Sequence, residues 1–324
     1  MKALSIVVPC FNEDAVLACT NDELLALLQR LIQADKISPS SVIYYVDDGS
    51  TDRTWDLIES YAAQSSHVAG IKLSTNCGHQ NALLAGLLNV PGDLIASIDA
   101  DLQDDVAALE SMIDANAEGF DVVYGVRDDR TSDTVFKRLT AKYFYKLLHW
   151  LGGRIIQNHA DYRLLSRRAV DGLRQFGEIN MFLRGVIPLI GFSSTTVYYK
   201  RSPRAAGVSK YPLKKMLAFA WEGITSMSVA PLRVITIGGA IIFTLTMLMS
   251  LLIVCIRLFT DQAIAGWAST VLPIYILGGI QLFAIGILGE YLGKVYKEVK
   301  RRPRFIIQTQ CGRPLIDKNE YDLD

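Results

Sequence analysis

Short β-branched runs that end in polar or acidic residues alternate with helical patterns along residues 1–210. Leu4–Pro9 opens the series, and a helical stretch near Asp22–Ala34 follows it. Val42–Val46 ends at Asp47-Asp48-Gly49-Ser50, before a helix near Thr54–Gln64. Val68–Leu73 ends at Ser74, before a helix near Gln80–Leu88. Leu94–Ile98 runs into Asp99, and Val122–Tyr124 into Gly125-Val126-Arg127. Strands of this length alternating with helices predict an open, mostly parallel α/β sheet, Rossmann-like, with helices on both faces. In such sheets ligands bind outside the carboxyl ends of the strands. Here those ends carry Asn12-Glu13, Asp47-Asp48, Asn76 and Asp99–Asp101.

The pattern changes toward the C-terminus. Val234–Ile256 and Ala268–Leu288 contain no charged residue, and at about 1.5 Å per residue each is long enough to cross a hydrocarbon core of about 30 Å. They predict two C-terminal transmembrane helices, joined by the short loop Arg257–Trp267. Lys214, Lys215 and Arg233 precede the first run, and Lys294, Lys297, Lys300, Arg301, Arg302 and Arg304 follow the second. By the positive-inside bias, both termini and the α/β domain are expected on the cytoplasmic side. Val135–Leu151 and Lys214–Met227 mix lysine or arginine with aromatic and aliphatic residues, as interfacial helices do; for the first, a core-facing helix with a solvated edge fits equally well. The expected organisation is an α/β domain over 1–212, an amphipathic juxtamembrane helix over 213–231, a two-helix membrane unit over 232–293 and a basic tail over 294–324. Gly238-Gly239 and Gly278-Gly279 are small-residue patches suited to packing spans within one chain or in a homo-oligomer.

Composition narrows the classes. Net charge is zero, which argues against nucleic acid as a partner. Five cysteines without a CxxC pair argue against a disulfide framework or structural zinc. The apolar run at the N-terminus is too short for a signal peptide.

The chemistry concentrates at Ser97-Ile98-Asp99-Ala100-Asp101-Leu102-Gln103. Two carboxylates and an amide oxygen are hard ligands suited to Mg²⁺ or Mn²⁺. An ion held there can bridge a diphosphate and neutralise the leaving group of a sugar transfer. In Asp47–Asp52, carboxylates can accept hydrogen bonds from a base or ribose, whereas Ser50, Thr51 and Asp52 also suit the start of the next helix. Pro9-Cys10-Phe11-Asn12-Glu13 could wall a nucleotide. The glycine-rich GxGxxG turn of dinucleotide enzymes is missing from Pro9–Asp14, as is a P-loop. A processive synthase with a QxxRW-like motif and more spans fits less well, and a non-catalytic scaffold would be expected to lose these carboxylates.

Pro9–Glu13, Val46–Asp52, Asn76-Cys77-Gly78, Asp99–Asp104, Asp161–Ser166 and Arg201–Tyr211 together resemble family-two glycosyltransferases. More narrowly, the chain resembles polyprenyl-phosphate glycosyltransferases of the bactoprenol glucosyltransferase kind, which serve O-antigen glucosylation of lipopolysaccharide. Asp104-Asp105-Val106 departs from the Asp-Pro-Pro frequent in that family. The resemblance implies a GT-A-type fold, a bacterial inner-membrane location, and inverting transfer of a hexose from a nucleotide sugar to polyprenyl phosphate. UDP-glucose is the favoured donor, with a UDP-aminoarabinose derivative or GDP-mannose as alternatives. It further implies a metal site of Asp99, Asp101 and Gln103. Pro9, Phe11, Glu13, Asp47, Asp48, Asp99 and Ala100 would form the nucleotide-sugar side, closed by a basic loop through Arg201 and Lys210. Arg127, Arg138 and Arg163 would grip the acceptor phosphate, since a guanidinium fork pairs with phosphate oxygens. Asp161 and Asp101 are the catalytic candidates. Asp161 is either a base or a positioning group, because a phosphate monoester with a second pKa of about 6 needs little deprotonation.

Overall fold

In a computed structural model of the 324-residue chain, the described residues are 1–127, 159–179, 182–200, 267–316 and scattered helical positions within 232–251. Eight strands form one mixed sheet: β1 (Leu4–Cys10), β2 (Val42–Asp47), β3 (Val68–Leu73), β4 (Leu94–Ser97), β5 (Val122–Arg127), β6 (His159–Ser166), β7 (Ser194–Tyr199) and β8 (Ile307–Cys311), in the order β7-β5-β6-β4-β1-β2-β3-β8. β1 pairs in parallel with β2 and β4, β2 with β3, and β5 with β7. β6 runs antiparallel between β4 and β5, and β8 antiparallel along β3. The expected parallel core is present, with two antiparallel additions.

Helices cover both faces. β1 and β2 are buried along their whole length, which is why they read as continuous apolar runs and not as alternating ones. On one face lie α1 (Leu17–Gln33), α2 (Thr54–Gln64) and α4 (Ala108–Ala117). α1 buries Leu17, Leu24, Leu28 and Leu31, a helical stripe. On the other lie α3 (His79–Asn89), α5 (Arg167–Arg174) and α6 (Leu183–Leu189). α3 sits directly on β1, because Gly86 removes the side chain at the contact. A Cβ there would come 2.2 Å from Val7 Cγ1.

The eighth strand comes from the segment expected only as a basic tail. α7 (Trp267–Lys300) leads into β8, whose pairing covers the otherwise open edge of β3. Ser74 N donates to Ile306 O at 2.9 Å, and Ile316 N donates to Asn89 O at 2.9 Å, fixing the returning chain on either side of β8.

The expected two-span placement in a bacterial inner membrane, with both termini cytoplasmic, is overturned. Among the described residues, no helix is long and apolar enough to cross a membrane. The last third of α7 carries Glu290, Lys294, Lys297, Glu298 and Lys300, and it is tied to the α/β domain. Glu298 accepts the Ile179 N–H at 2.9 and 3.0 Å, and the neighbouring Arg304 donates to Phe176 O at 2.9 Å. Most of Val234–Ile256, the loop after it, and the two amphipathic segments at 135–151 and 214–227 lie outside the described residues.

Candidate active site

The loops after β1, β2 and β3 are stitched into one wall. Asn12, in the left-handed region at φ 53°, accepts Thr51 N–H on Oδ1 at 2.9 Å and donates its own N–H to Ser50 Oγ at 3.0 Å. Glu13 N–H reaches Thr54 Oγ1 at 2.9 Å, and Asp52 accepts both Thr54 N–H (3.0 Å) and Asp14 N–H (3.3 Å). Asp48 turns inward. Its two oxygens accept the N–H groups of Cys77 at 2.7 Å and Gly78 at 2.9 Å, bracketing the start of α3. Burial raises the Asp48 pKa, and these two bonds only partly offset that. Asp47 is fully buried. Its Oδ1 accepts Ser50 N–H at 3.1 Å, while its Oδ2 has no partner in the protein. Pro9 is buried and Phe11 is exposed at the rim.

Past β4 the chain turns through Asp99, Ala100 and Asp101, then through Leu102 in a left-handed conformation at φ 50°. Asp101 Oδ1 accepts Gln103 N–H at 3.2 Å, closing the turn. Buried Asp104 anchors its far side. Asp104 Oδ1 accepts Tyr199 OH at 2.6 Å and the Nε and Nη2 groups of Arg127 at 3.2 and 3.0 Å. Burial opposes charge on Arg127, but Asp104 and Tyr199 outweigh it and hold the guanidinium charged. Tyr162 completes this knot, edge-on to Tyr199 with ring centroids 5.4 Å apart and donating to Asp105 O at 3.1 Å.

Because β6 is antiparallel, its beginning lies beside the end of β4, and Ser97 Oγ donates to the Asp161 carbonyl. That pairing brings Asp161 next to Asp99. Asp161 accepts Arg163 Nη2, Arg184 Nε at 3.3 Å and Arg184 Nη2 at 3.1 Å. His79, the first residue of α3, places Nε2 3.5 Å from both Asp99 Oδ1 and Asp161 Oδ2. Burial alone would raise the Asp161 pKa, but His79, Arg163 and Arg184 hold it well below the usual carboxylate range. Asp99 goes the other way. Burial pushes it up to about 6, His79 counteracts, and Asp161, Asp104 and Asp101 add to the rise.

The fit to a divalent cation is tested by Asp99. Its Oδ1 is buried and takes no hydrogen bond, with His79 Nε2 3.5 Å away, and its charge is disfavoured first by burial and then by its carboxylate neighbours. A divalent cation would satisfy such an oxygen. Among the described residues no group of three His, Cys, Asp or Glu side chains is arranged to hold a metal ion, so a site here needs the amide of Gln103 beside Asp99 and Asp101.

The sequence-predicted residues thus divide. Asp99, Asp101, Gln103 and Asp161 converge, while Asp47 and Asp48 lie on the adjoining wall. Arg163, expected on the acceptor phosphate, is fully buried and turned into Asp161. Arg127, expected in the same role, is engaged by Asp104. Arg138, Arg201 and Lys210 lie outside the described residues. Two residues were not foreseen. His79 follows the Asn76-Cys77-Gly78 motif, which was a signal for it. Arg184 carries no local signal and is recruited only by the fold.

The mixed α/β sheet gathers carboxylates past the ends of β2 and β4, and residues 5–174 match the family described as glycosyl transferase family 2, a class of glycosyl-transferring enzymes. The chain belongs to that family, and the expectation of a hexosyl-transferring enzyme with a GT-A-like α/β domain stands with it. It is 48% identical to the uncharacterized glycosyltransferase YkoT of Bacillus subtilis, over 94% of this chain and 90% of that one. It is 36% identical to an SfII prophage-derived bactoprenol glucosyl transferase of Shigella flexneri, over 96% of this chain and 99% of that one. Among solved structures, mannosyl-3-phosphoglycerate synthase from Rubrobacter xylanophilus is similar at a TM-score of 0.46 and 18% identity, over 69% of this chain and 72% of that one.

Proposed function

We propose that the protein transfers glucose from UDP-glucose to a polyprenyl phosphate, with inversion at the anomeric carbon. The observation that carries this reading is a pair of buried carboxylate oxygens that take no hydrogen bond in the protein, Asp47 Oδ2 on the nucleotide wall and Asp99 Oδ1 at the turn past β4. The first suits a donor N–H or hydroxyl of the nucleoside, the second a cation that accompanies a diphosphate. The near-full-length similarity to a bactoprenol glucosyl transferase supports the sugar and the lipid acceptor.

In this reading Pro9, Phe11, Glu13 and Asp47 flank the nucleoside, and Asp48 shapes that wall by holding the Cys77-Gly78 turn. Asp99, Asp101 and Gln103 would hold Mg²⁺ or Mn²⁺, which when bound neutralises charge on the leaving diphosphate. Asp104, Arg127 and Tyr199 keep the Asp101–Gln103 turn in place. An acceptor phosphate oxygen attacks the anomeric carbon from the side opposite the diphosphate. Since a phosphate monoester has a second pKa of about 6, the nucleophile is already ionised near neutral pH. Asp161, held anionic by its cationic neighbours, therefore serves as a fixed charge that positions groups and not as a proton acceptor.

The test is transfer of labelled sugar from UDP-glucose, with GDP-mannose as a comparison donor, into a butanol-extractable lipid. The expected product forms from UDP-glucose and is lost with EDTA. Absence of a lipid product from any nucleotide sugar, or full activity in EDTA, would overturn the reading.

A further inference from the structure

We propose that Arg184 is the residue that receives the acceptor's phosphate, aimed by Asp161, while Arg163 is the buried counter-cation beneath that carboxylate. The proposal rests on the reading of the acceptor as a phosphate ester. Its starting point is a difference between two arginines that share one carboxylate. The Arg163 side chain is completely buried, so no ligand reaches it. The Arg184 side chain remains 30% exposed. It stands on α6, a different element from β6, and meets Asp161 through two donors at 3.1 and 3.3 Å.

That two-point contact does for Arg184 what a single contact would not. A planar guanidinium held along one edge by both carboxylate oxygens is fixed in orientation as well as position. Asp161 cannot itself move to follow a ligand, because Arg163 binds it from below and its backbone carbonyl accepts Ser97 Oγ. Asp161 faces two guanidiniums, and His79 stands 3.5 Å from both Asp161 and Asp99. The exposed member of this cluster is Arg184. The cluster also borders Asp99 across His79, so an anion seated on Arg184 would lie next to the diphosphate side, as an attacking phosphate must. Arg127, the other arginine described near the site, spends both Nε and Nη2 on Asp104.

The geometry also separates the roles. Arg184 binds the phosphate. Asp161 and Arg163 are positioning residues that act through it. Removing Arg184 should therefore weaken the acceptor and leave the donor alone, which a loss of fold would not do.

The experiment uses the full chain, with initial rates measured against UDP-glucose and against polyprenyl phosphate, and with thermal stabilisation by farnesyl phosphate compared to farnesol. Arg184→Gln should raise the acceptor KM at least tenfold while the donor KM stays within twofold, and should abolish the extra stabilisation by farnesyl phosphate. Arg184→Lys keeps the charge but not the fork; it should restore part of the acceptor affinity, and it carries the test if the glutamine variant does not fold. An acceptor KM unchanged in both variants, or donor and acceptor KM rising together, would overturn the assignment. If the wild type gives no lipid product yet is stabilised by farnesyl phosphate through Arg184, the proposed acceptor falls and the phosphate site stands. If the wild type glucosylates the lipid and the variants keep its KM, the reverse holds.

Discussion

Asp48, just past β2, rests its two oxygens on the backbone N–H groups of Cys77 and Gly78, whereas Asp161, in β6, is enclosed by the guanidiniums of Arg163 and Arg184. Both carboxylates are almost fully buried, at 2% and 7% exposure. Burial works on both in the same direction, against the charge. The partners decide the outcome. Two neutral backbone donors leave Asp48 with a raised pKa, whereas His79 together with two full positive charges drives Asp161 well down. The wall we assign to the donor is therefore built from hydrogen bonds that shape a loop, and the side we assign to the acceptor from charges that hold a field. A nucleotide needs a shaped surface with fixed polar points, whereas an attacking phosphate needs a positive site that remains ordered when empty.

The sharpest way to break this contrast is Asp161→Asn. The variant leaves Arg163 and Arg184 without their carboxylate in a buried setting, and removing one partner of a buried ion pair costs about 3–5 kcal/mol. Urea unfolding near neutral pH measures it. A loss below about 1 kcal/mol, in the range of exposed pairs, would mean that the cluster is not a structural charge centre. Sugar transfer should fall with it by the same factor at every pH tested on the alkaline side. Recovery of rate at higher pH would instead mark Asp161 as a proton acceptor.

A smaller effect is expected on the donor side. Gly78 lies at φ 90° and ψ 151°, a conformation close to glycine-only, and a Cβ there would meet nothing within 4 Å. The cost of Gly78→Ala is thus backbone strain alone, about 1–3 kcal/mol. Gly119, at φ 107° and equally open, serves as its control. Both substitutions should lower stability, but only Gly78→Ala should raise the UDP-glucose KM, because only Gly78 holds Asp48. Equal donor KM values in the two variants would detach Asp48 from the nucleotide wall.

The two regions also differ in how far they were legible in the sequence. β1 to β5 and the first three helices follow from apolar runs and helical stripes, and their carboxyl-end residues Asp47, Asp48, Asp99 and Asp101 follow with them. These are local features: a strand, its turn and the next helix lie within a few residues. The Asp161 cluster is not local. It depends on β6 inserting antiparallel between β4 and β5, and on α6 delivering Arg184 from a segment with no motif. A charge pattern could propose that Arg163 binds phosphate, but only the register of Arg163 opposite Ser97 and Tyr124 shows that it faces the interior. The same limit explains β8, whose residues look like a tail until they find the edge of β3. It also explains Arg127, whose partner Asp104 is brought to it by the turn after β4.

The smallest predicted effect discriminates best, because its sign differs between the two sites. Asp48→Asn replaces one carboxylate oxygen by an amide that cannot accept a backbone N–H. One of the Cys77 and Gly78 donors is left unmet, at about 1–2 kcal/mol. Its pH dependence follows from linkage. Asp48 has a folded pKa above its unfolded value of about 4. The native state therefore binds more protons than the unfolded chain as pH rises through that interval. Wild-type stability relative to Asp48→Asn declines across it, then levels off above the folded pKa. For Asp161 the folded value lies below the unfolded one. The advantage over Asp161→Asn is complete above pH of about 4 and is lost as pH falls toward the folded pKa. Unfolding curves for the three proteins over the acid range should show the two stability differences sloping in opposite directions. Parallel slopes would mean that the backbone bracket and the guanidinium pair tune their carboxylates alike, and the division of the site into a shaped half and a charged half would fall.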